Sequence, residues 1–211
     1  MADRSIPQFS DAETNALADA TEPLNRSVNP VFIFVDLLED FFSKPPLSER
    51  RGALSSAVNE LASYARENDL PVIWVRQEFE PDLSDAFLSM RETGTRITIR
   101  GTAGCDIIKE IEREPGDVEV VKKRYSAFFG TQLDPLLESV RCSHLVIGGV
   151  NTHACVRATA VDAFQLDYKV ILATDSIASY DEEYHRESIR YLAQSVGQPM
   201  SNGEIKEHLR V

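Results

Sequence analysis

The chain has 211 residues, enough for one domain with a sizeable core. It carries 22 Lys and Arg against 34 Asp and Glu, a formal net charge of −12, which argues against nucleic acid or an anionic membrane surface as its main partner. No apolar run is long enough for a membrane-spanning helix, the N-terminus has no signal-peptide core, and the three well-separated cysteines have the pattern of free thiols in a reducing compartment, so the cytoplasm is the expected location.

Residues 1–29 are acidic and polar and are expected to form an arm packed on the body or on a neighbouring subunit, with residues 30–211 as a single domain. Ser10 to Glu13 has capping-box spacing for a short helix in that arm. Val31 to Val35 is a continuous apolar run, read as a buried strand that stops at Asp36. Of Phe41 and Phe42, one is expected in the core, and Phe42 is the candidate pocket wall. Leu54 to Arg66 has the period of an amphipathic helix, and Val72 to Val75 reads as the next strand. The connection 76–104 is long enough to be a functional loop or lid. Its Arg76, Arg96 and Arg100 suit either bidentate capture of a substrate carboxylate or surface ion pairs, with Arg76 the candidate.

Asp106 to Ile111 is expected to be a short helix, followed by a strand, Val118 to Val121, that stops at Lys122. Phe128 or Phe129 lines a pocket or packs in the core, and Thr131 is an N-cap candidate for a helix reaching Leu137. His144 to Ile147 reads as a buried strand closed by Gly148-Gly149. Val156, Thr159, Ala160, Ala163 and Phe164 then recur at helical spacing, so a helix starts close to Cys155, and Lys169 to Ala173 is another strand. A thiol in a first helical turn lies near free N–H groups and the positive end of the dipole, which favours thiolate. The alternative is a buried cysteine acting as a small hydrophobe. The chain closes with helices over Glu182 to Ala193 and after Ser201, where Glu204 completes a capping box. His185 and His208 are expected to be exposed, His144 structural, and His153 a residue of the site's rim. Asp36, Lys122 and Cys155 each follow a strand, and in open α/β sheets function gathers beyond the carboxyl ends of the strands.

Three segments carry a family resemblance: VFIFVDLLEDFF (31–42), VVKKRYSAFFGTQLDPLL (120–137) and GGVNTHACVRATAVDAF (148–164). With Gly101-Thr102, Gly104 and Asp175-Ser176, the chain from 31 to about 196 resembles the isochorismatase-like cysteine hydrolases, which include nicotinamidases and N-carbamoylsarcosine amidohydrolase. The resemblance implies a three-layer α/β/α Rossmann-like fold with a mainly parallel sheet. It implies Asp36 as general base, Lys122 as the catalytic lysine and Cys155 as nucleophile of a thioester mechanism. Lys123, on the opposite face by strand alternation, is expected in solvent.

By the same resemblance, the backbone N–H groups of Asn151 and Cys155 form an oxyanion hole, the Val150–Asn151 bond is cis, and Val150 and His153 lie on the substrate side. Leu38 and Glu39 stand where the family usually has Gln and Asn. No histidine occurs between residues 1 and 143, so the metal site of the nicotinamidases is not expected, nor is any cofactor. The expected partner is a small amide or ureido substrate, and the expected assembly a homodimer or homotetramer. The alternatives are an isochorismatase-type vinyl-ether hydrolase, whose siderophore-pathway members lack the cysteine, and an idle family member serving as a binding or scaffold protein.

Overall fold

A computed structural model describes residues 29–209; the arm expected over residues 1–29, with its capping box, lies outside the described residues except for Asn29, which begins the first strand. The chain alternates strands and helices. Strands β1 (Asn29–Val35), β2 (Val72–Gln77), β3 (Val118–Lys122), β4 (Cys142–Val150), β5 (Lys169–Ala178) and β6 (Gly197–Met200) form one sheet of order β3-β2-β1-β4-β5-β6. Every pairing is parallel. The sheet is covered on both faces, which is why its central strands read as unbroken apolar runs rather than alternating ones.

Side-chain alternation along β1 divides the core. Val31, Ile33 and Val35 face a cluster with Leu133 and Leu137 of α3 (Leu133–Ser139), Ala160 and Ala163 of α4 (Arg157–Gln165) and Leu192 of α5 (Glu182–Ser195). Phe32 and Phe34 face a cluster with Val58, Leu61 and Ala65 of α1 (Leu47–Glu67) and Ile205 of α6 (Asn202–His208). Phe34 stacks on Trp74 with ring centroids 5.0 Å apart. Gly149 is needed where β4 passes β1: its φ is +111°, and a Cβ there would lie 2.0 Å from the Val35 carbonyl oxygen.

Several local expectations are corrected. Helix α1 begins at Leu47, seven residues before the expected start, because the buried Leu47 anchors a polar first stretch. Asp106 to Ile111 is not helical. Ile107 bridges Leu38, and Glu39 N–H and Ile108 N–H bond across to Asp106 and Leu37, so this stretch pairs with the chain after β1 instead. The 76–104 connection has a small core of its own, Phe79, Leu83, Ala86, Met90 and Ile99, around the short helix α2 (Leu88–Thr93). Thr131 acts at the start of α3, but one residue outside the cap, accepting from Leu133 N–H (3.1 Å). The Ser201/Glu204 capping box is present as expected.

Candidate active site

Strand order reverses between β1 and β4, the place where an open parallel sheet leaves a crevice at its carboxyl edge. Asp36 leaves β1 in the left-handed region (φ +56°), which aspartate tolerates better than most residues. Its Oδ1 accepts from the Gln77 N–H (2.8 Å) at the end of β2. Its Oδ2 lies 2.7 Å from Lys122 Nζ, and both side chains are fully buried. Lys122, at the end of β3, also donates to the Arg124 carbonyl (3.0 Å) and lies 3.4 Å from Cys155 Sγ. All three donors of the ammonium are thereby used.

Cys155 sits in a single π-helical turn, Thr152–Val156, that opens onto α4. Single π turns of this kind recur at functional sites. The peptide bond Val150–Asn151 is cis. Asn151 Oδ1 accepts from Tyr180 N–H (3.1 Å), and Thr152 donates its hydroxyl to the Ala178 carbonyl (3.0 Å). With that proton committed, Thr152 accepts from His185 Nδ1 (2.8 Å). The turn is thus tied to the end of β5 and to α5.

Burial alone would discharge Lys122, but the charges of Asp36 and Cys155 and their hydrogen bonds hold its proton more firmly than usual. Burial pushes the Cys155 thiol up, and the Asp36 carboxylate pushes it further, against the pull of Lys122. The resting site is therefore an ammonium–carboxylate pair beside a neutral thiol, not the thiolate expected from the helix start alone. Desolvation of the thiol in a residue only 3% exposed, beside a carboxylate, outweighs the lysine.

Cys155 forms part of the floor of a cleft of about 830 Å³, with Gln77 and Asn151. Phe41, Phe87, Tyr125, His153, Tyr180 and Tyr184 are among its walls. Of the predicted substrate-side residues, His153 lies in this cleft, its Nδ1 bonded to Ser179 Oγ and its ring edge-on to Tyr180 at 4.7 Å. Val150 is fully buried in the α1-side core.

Phe42 is a core residue, and its neighbour Phe41 faces the cleft, the two diverging in a 3-10 turn. Phe128 stacks on Tyr168 (6.0 Å) and packs on the other core, while Tyr125 takes the place expected for it. Arg76 lines a separate cleft and is held by Glu78 (2.5 Å) and Glu119 (2.7 Å). Arg100 pairs with Glu78 and Glu80, and Arg96 is exposed outside the main cleft.

Lys123 is half-buried, paired with Asp85 (2.9 Å) and bonded to the Glu78 carbonyl, because the 79–99 segment folds over the end of β3. His185 and His208 are likewise half-buried rather than exposed. Cleft-lining residues that the sequence did not single out include Gln77, Phe87, Tyr180 and Tyr184. Gln77 ends a strand, and the rule that singled out Asp36 and Lys122 applies equally to it. Tyr184 and Tyr191, seven residues apart on α5, share one helix face. Among the described residues no group of three or more His, Cys, Asp or Glu side chains is placed to hold a metal ion.

Comparisons with known proteins agree on the class of molecule. Residues 30–204 match the model of the isochorismatase domain. An Arabidopsis thaliana protein named "Probable inactive nicotinamidase" is 32% identical over 169 residues, 76% of this chain and 86% of its own. The crystal structure of an isochorismatase family protein from Desulfovibrio vulgaris superposes with TM-score 0.78 at 28% identity, covering 86% of this chain and 98% of that one. That of N-carbamoylsarcosine amidase from Thermoplasma acidophilum gives TM-score 0.72 at 25% identity, covering 83% and 97%. The all-parallel sheet, the site at its switch point and these matches lead to one assignment: the chain belongs to the isochorismatase family.

Proposed function

We propose that this protein hydrolyses a C–N bond of a small amide or ureido compound through a thioester on Cys155. The carrying observation is the fully buried Lys122, which touches Asp36 and Cys155 at once beneath an open cleft. The thiol passes its proton to Asp36 as the sulfur attacks the substrate carbonyl carbon. That transfer moves one negative charge from carboxylate to sulfur, and a single ammonium is in reach of both positions. The resting thiol fits this order of events, since the proton leaves only when the electrophile is present. The N–H groups of Asn151 and Cys155 stabilise the oxyanion, at roughly 3 kcal/mol per donor in comparable sites. Collapse of the tetrahedral intermediate breaks the C–N bond, and Asp36 returns the proton to the departing amine. Asp36 then takes a proton from water as it attacks the thioester, and returns that proton to sulfur as the acid is released.

The N-carbamoylsarcosine amidase likeness supports this reaction class. The name of the Arabidopsis relative favours a second reading, an idle member with binding duty. Ammonia release from nicotinamide, maleamate, N-carbamoyl amino acids, ureidoacrylate, oxamate and biuret, by wild type and Cys155→Ala, separates the two. Release that disappears in Cys155→Ala supports the hydrolase; release that survives overturns the thioester; silence across the panel with an unreactive Cys155 favours the idle reading. The exposed Tyr180, Tyr184 and Tyr191 beside the cleft support assembly as a homodimer or homotetramer, read out by light scattering.

A further inference from the structure

We infer that Gln77 is a substrate-binding residue whose side-chain amide donates a hydrogen bond to a carbonyl-type oxygen of the molecule seated against Cys155; this rests on the hydrolase reading above. Gln77 ends β2, the strand between β1 and β3, so it stands between Asp36 and Lys122. Its backbone N–H is committed to Asp36 Oδ1, and its register partner in the sheet is Lys122. Gln77 is 4% exposed, and its side-chain Nε2 has no hydrogen-bond partner among the described residues.

Among the described residues, two other buried side-chain atoms are without a hydrogen bond. Asp36 Oδ2 is the one held by the Lys122 ammonium, and Thr98 Oγ1 does not line the cleft. Gln77 is the one that both lacks an ionic partner and lines the cleft over Cys155. Buried donors are nearly always paired, because an unmade bond forfeits the hydration the group had in water. The Oδ1 and Oδ2 atoms of Asp36, the nearest carboxylate along the sheet edge, are already engaged by Gln77 N–H and Lys122. The missing partner is therefore supplied from the cleft.

An amide nitrogen is a donor only, so it selects an acceptor. Much of the surrounding wall is aromatic, with Phe41, Phe87 and Tyr125. The substrate class that satisfies both is a flat amide or ureide presenting a carbonyl oxygen to Gln77.

The test uses two alkylating agents of Cys155 that differ in that oxygen: iodoacetamide, which has a carbonyl acceptor, and iodoethane, which has none. Gln77→Met keeps length and bulk and removes the donor. Rates are followed at the Cys155 peptide by mass spectrometry near pH 9, and melting temperature is recorded in parallel. The expected result is a loss of about tenfold in the iodoacetamide rate, the scale of one hydrogen bond, with the iodoethane rate within roughly twofold and the melting temperature unchanged or higher because an unsatisfied buried donor has gone. A parallel fall with both reagents, or no change with either, overturns the assignment. So does a melting temperature lower by more than about 4 °C, the mark of a structural partner. If neither reagent labels wild-type Cys155, the hydrolase reading fails and this assignment with it. Labelling of the wild type with no selectivity in the variant removes Gln77 alone.

Discussion

Replacing Lys122 with Met probes the buried ion pair on which the site is built. Methionine fills most of the lysine stem, so the change removes a charge, an ion pair and two hydrogen bonds with little loss of packing. Asp36, fully buried, would keep its Gln77 N–H bond but lose its counter-ion at 2.7 Å. Stranding one partner of a buried pair costs about 3–5 kcal/mol. At roughly 2–4 °C per kcal/mol for a domain of this size, the melting temperature should fall by about 6–20 °C. The double variant Lys122→Met/Asp36→Asn removes both charges, while Asn keeps the acceptor for Gln77 N–H and tolerates the φ of +56°. It should recover at least about 2 kcal/mol relative to the sum of the two single changes. Urea unfolding of the four proteins in the cycle measures this. A single-variant cost under about 1 kcal/mol, typical of an exposed pair, or strict additivity in the cycle, would refute the argument from buried charge.

Alkylation of wild-type Cys155 should rise about tenfold per pH unit between roughly pH 7 and 9 without a plateau, because burial and Asp36 hold its thiol above the ordinary cysteine range. A plateau below pH 7 would show a resting thiolate. Gly104→Ala places a Cβ 2.2 Å from Asp40 Oδ2, which must then release the Thr98 N–H it holds at 2.6 Å. The expected cost is about 2–3 kcal/mol by chemical denaturation, and in an Asp40→Ala background the same change should cost less than about 1 kcal/mol. Asp117 is raised by burial but lowered further by Arg66, the Glu114 N–H and the Trp74 indole, so its carboxyl lies below the ordinary 3.8. A depressed native pKa contributes stability above the unfolded value that is lost as pH falls through the native one. Asp117→Asn should therefore be less stable than wild type by about 1–3 kcal/mol at pH 7, with the gap closing below pH 3.8 in urea titrations.

The central strands and the three charged or nucleophilic strand ends were legible in the sequence because they combine two strong signals. Unbroken apolar runs mark the doubly covered β1 and β4, the shorter pair Val120-Val121 marks the edge strand β3, and Asp36, Lys122 or Cys155 punctuates the start of the crevice beyond each. Strand β6, Gly-Gln-Pro-Met, was not legible: an edge strand pairing on one side needs no apolar pattern and tolerates a proline. The cleft walls were hard to see for a different reason. Phe87, Tyr125 and the Tyr180/Tyr184 pair come from three separate stretches, and an aromatic facing a cleft has the same sequence signature as one facing a core. Phe41 and Phe42 make the point, since a single 3-10 turn sends one to the cleft and the other to the interior. The state of Cys155 was likewise beyond local reading. Its position in the turn argues for thiolate, while burial and Asp36, which is distant in sequence, reverse the outcome.

In the proposed mechanism Cys155 carries the acyl group during turnover. Rapid acid quench of the enzyme with an amide that it turns over, followed by mass spectrometry of the Cys155 peptide, tests it most directly. The expected result is an adduct on Cys155 equal in mass to the substrate's acyl portion, formed with ammonia or amine release and cleared by hydroxylamine. Steady turnover with an unmodified Cys155, or turnover that survives in Cys155→Ala, would contradict it.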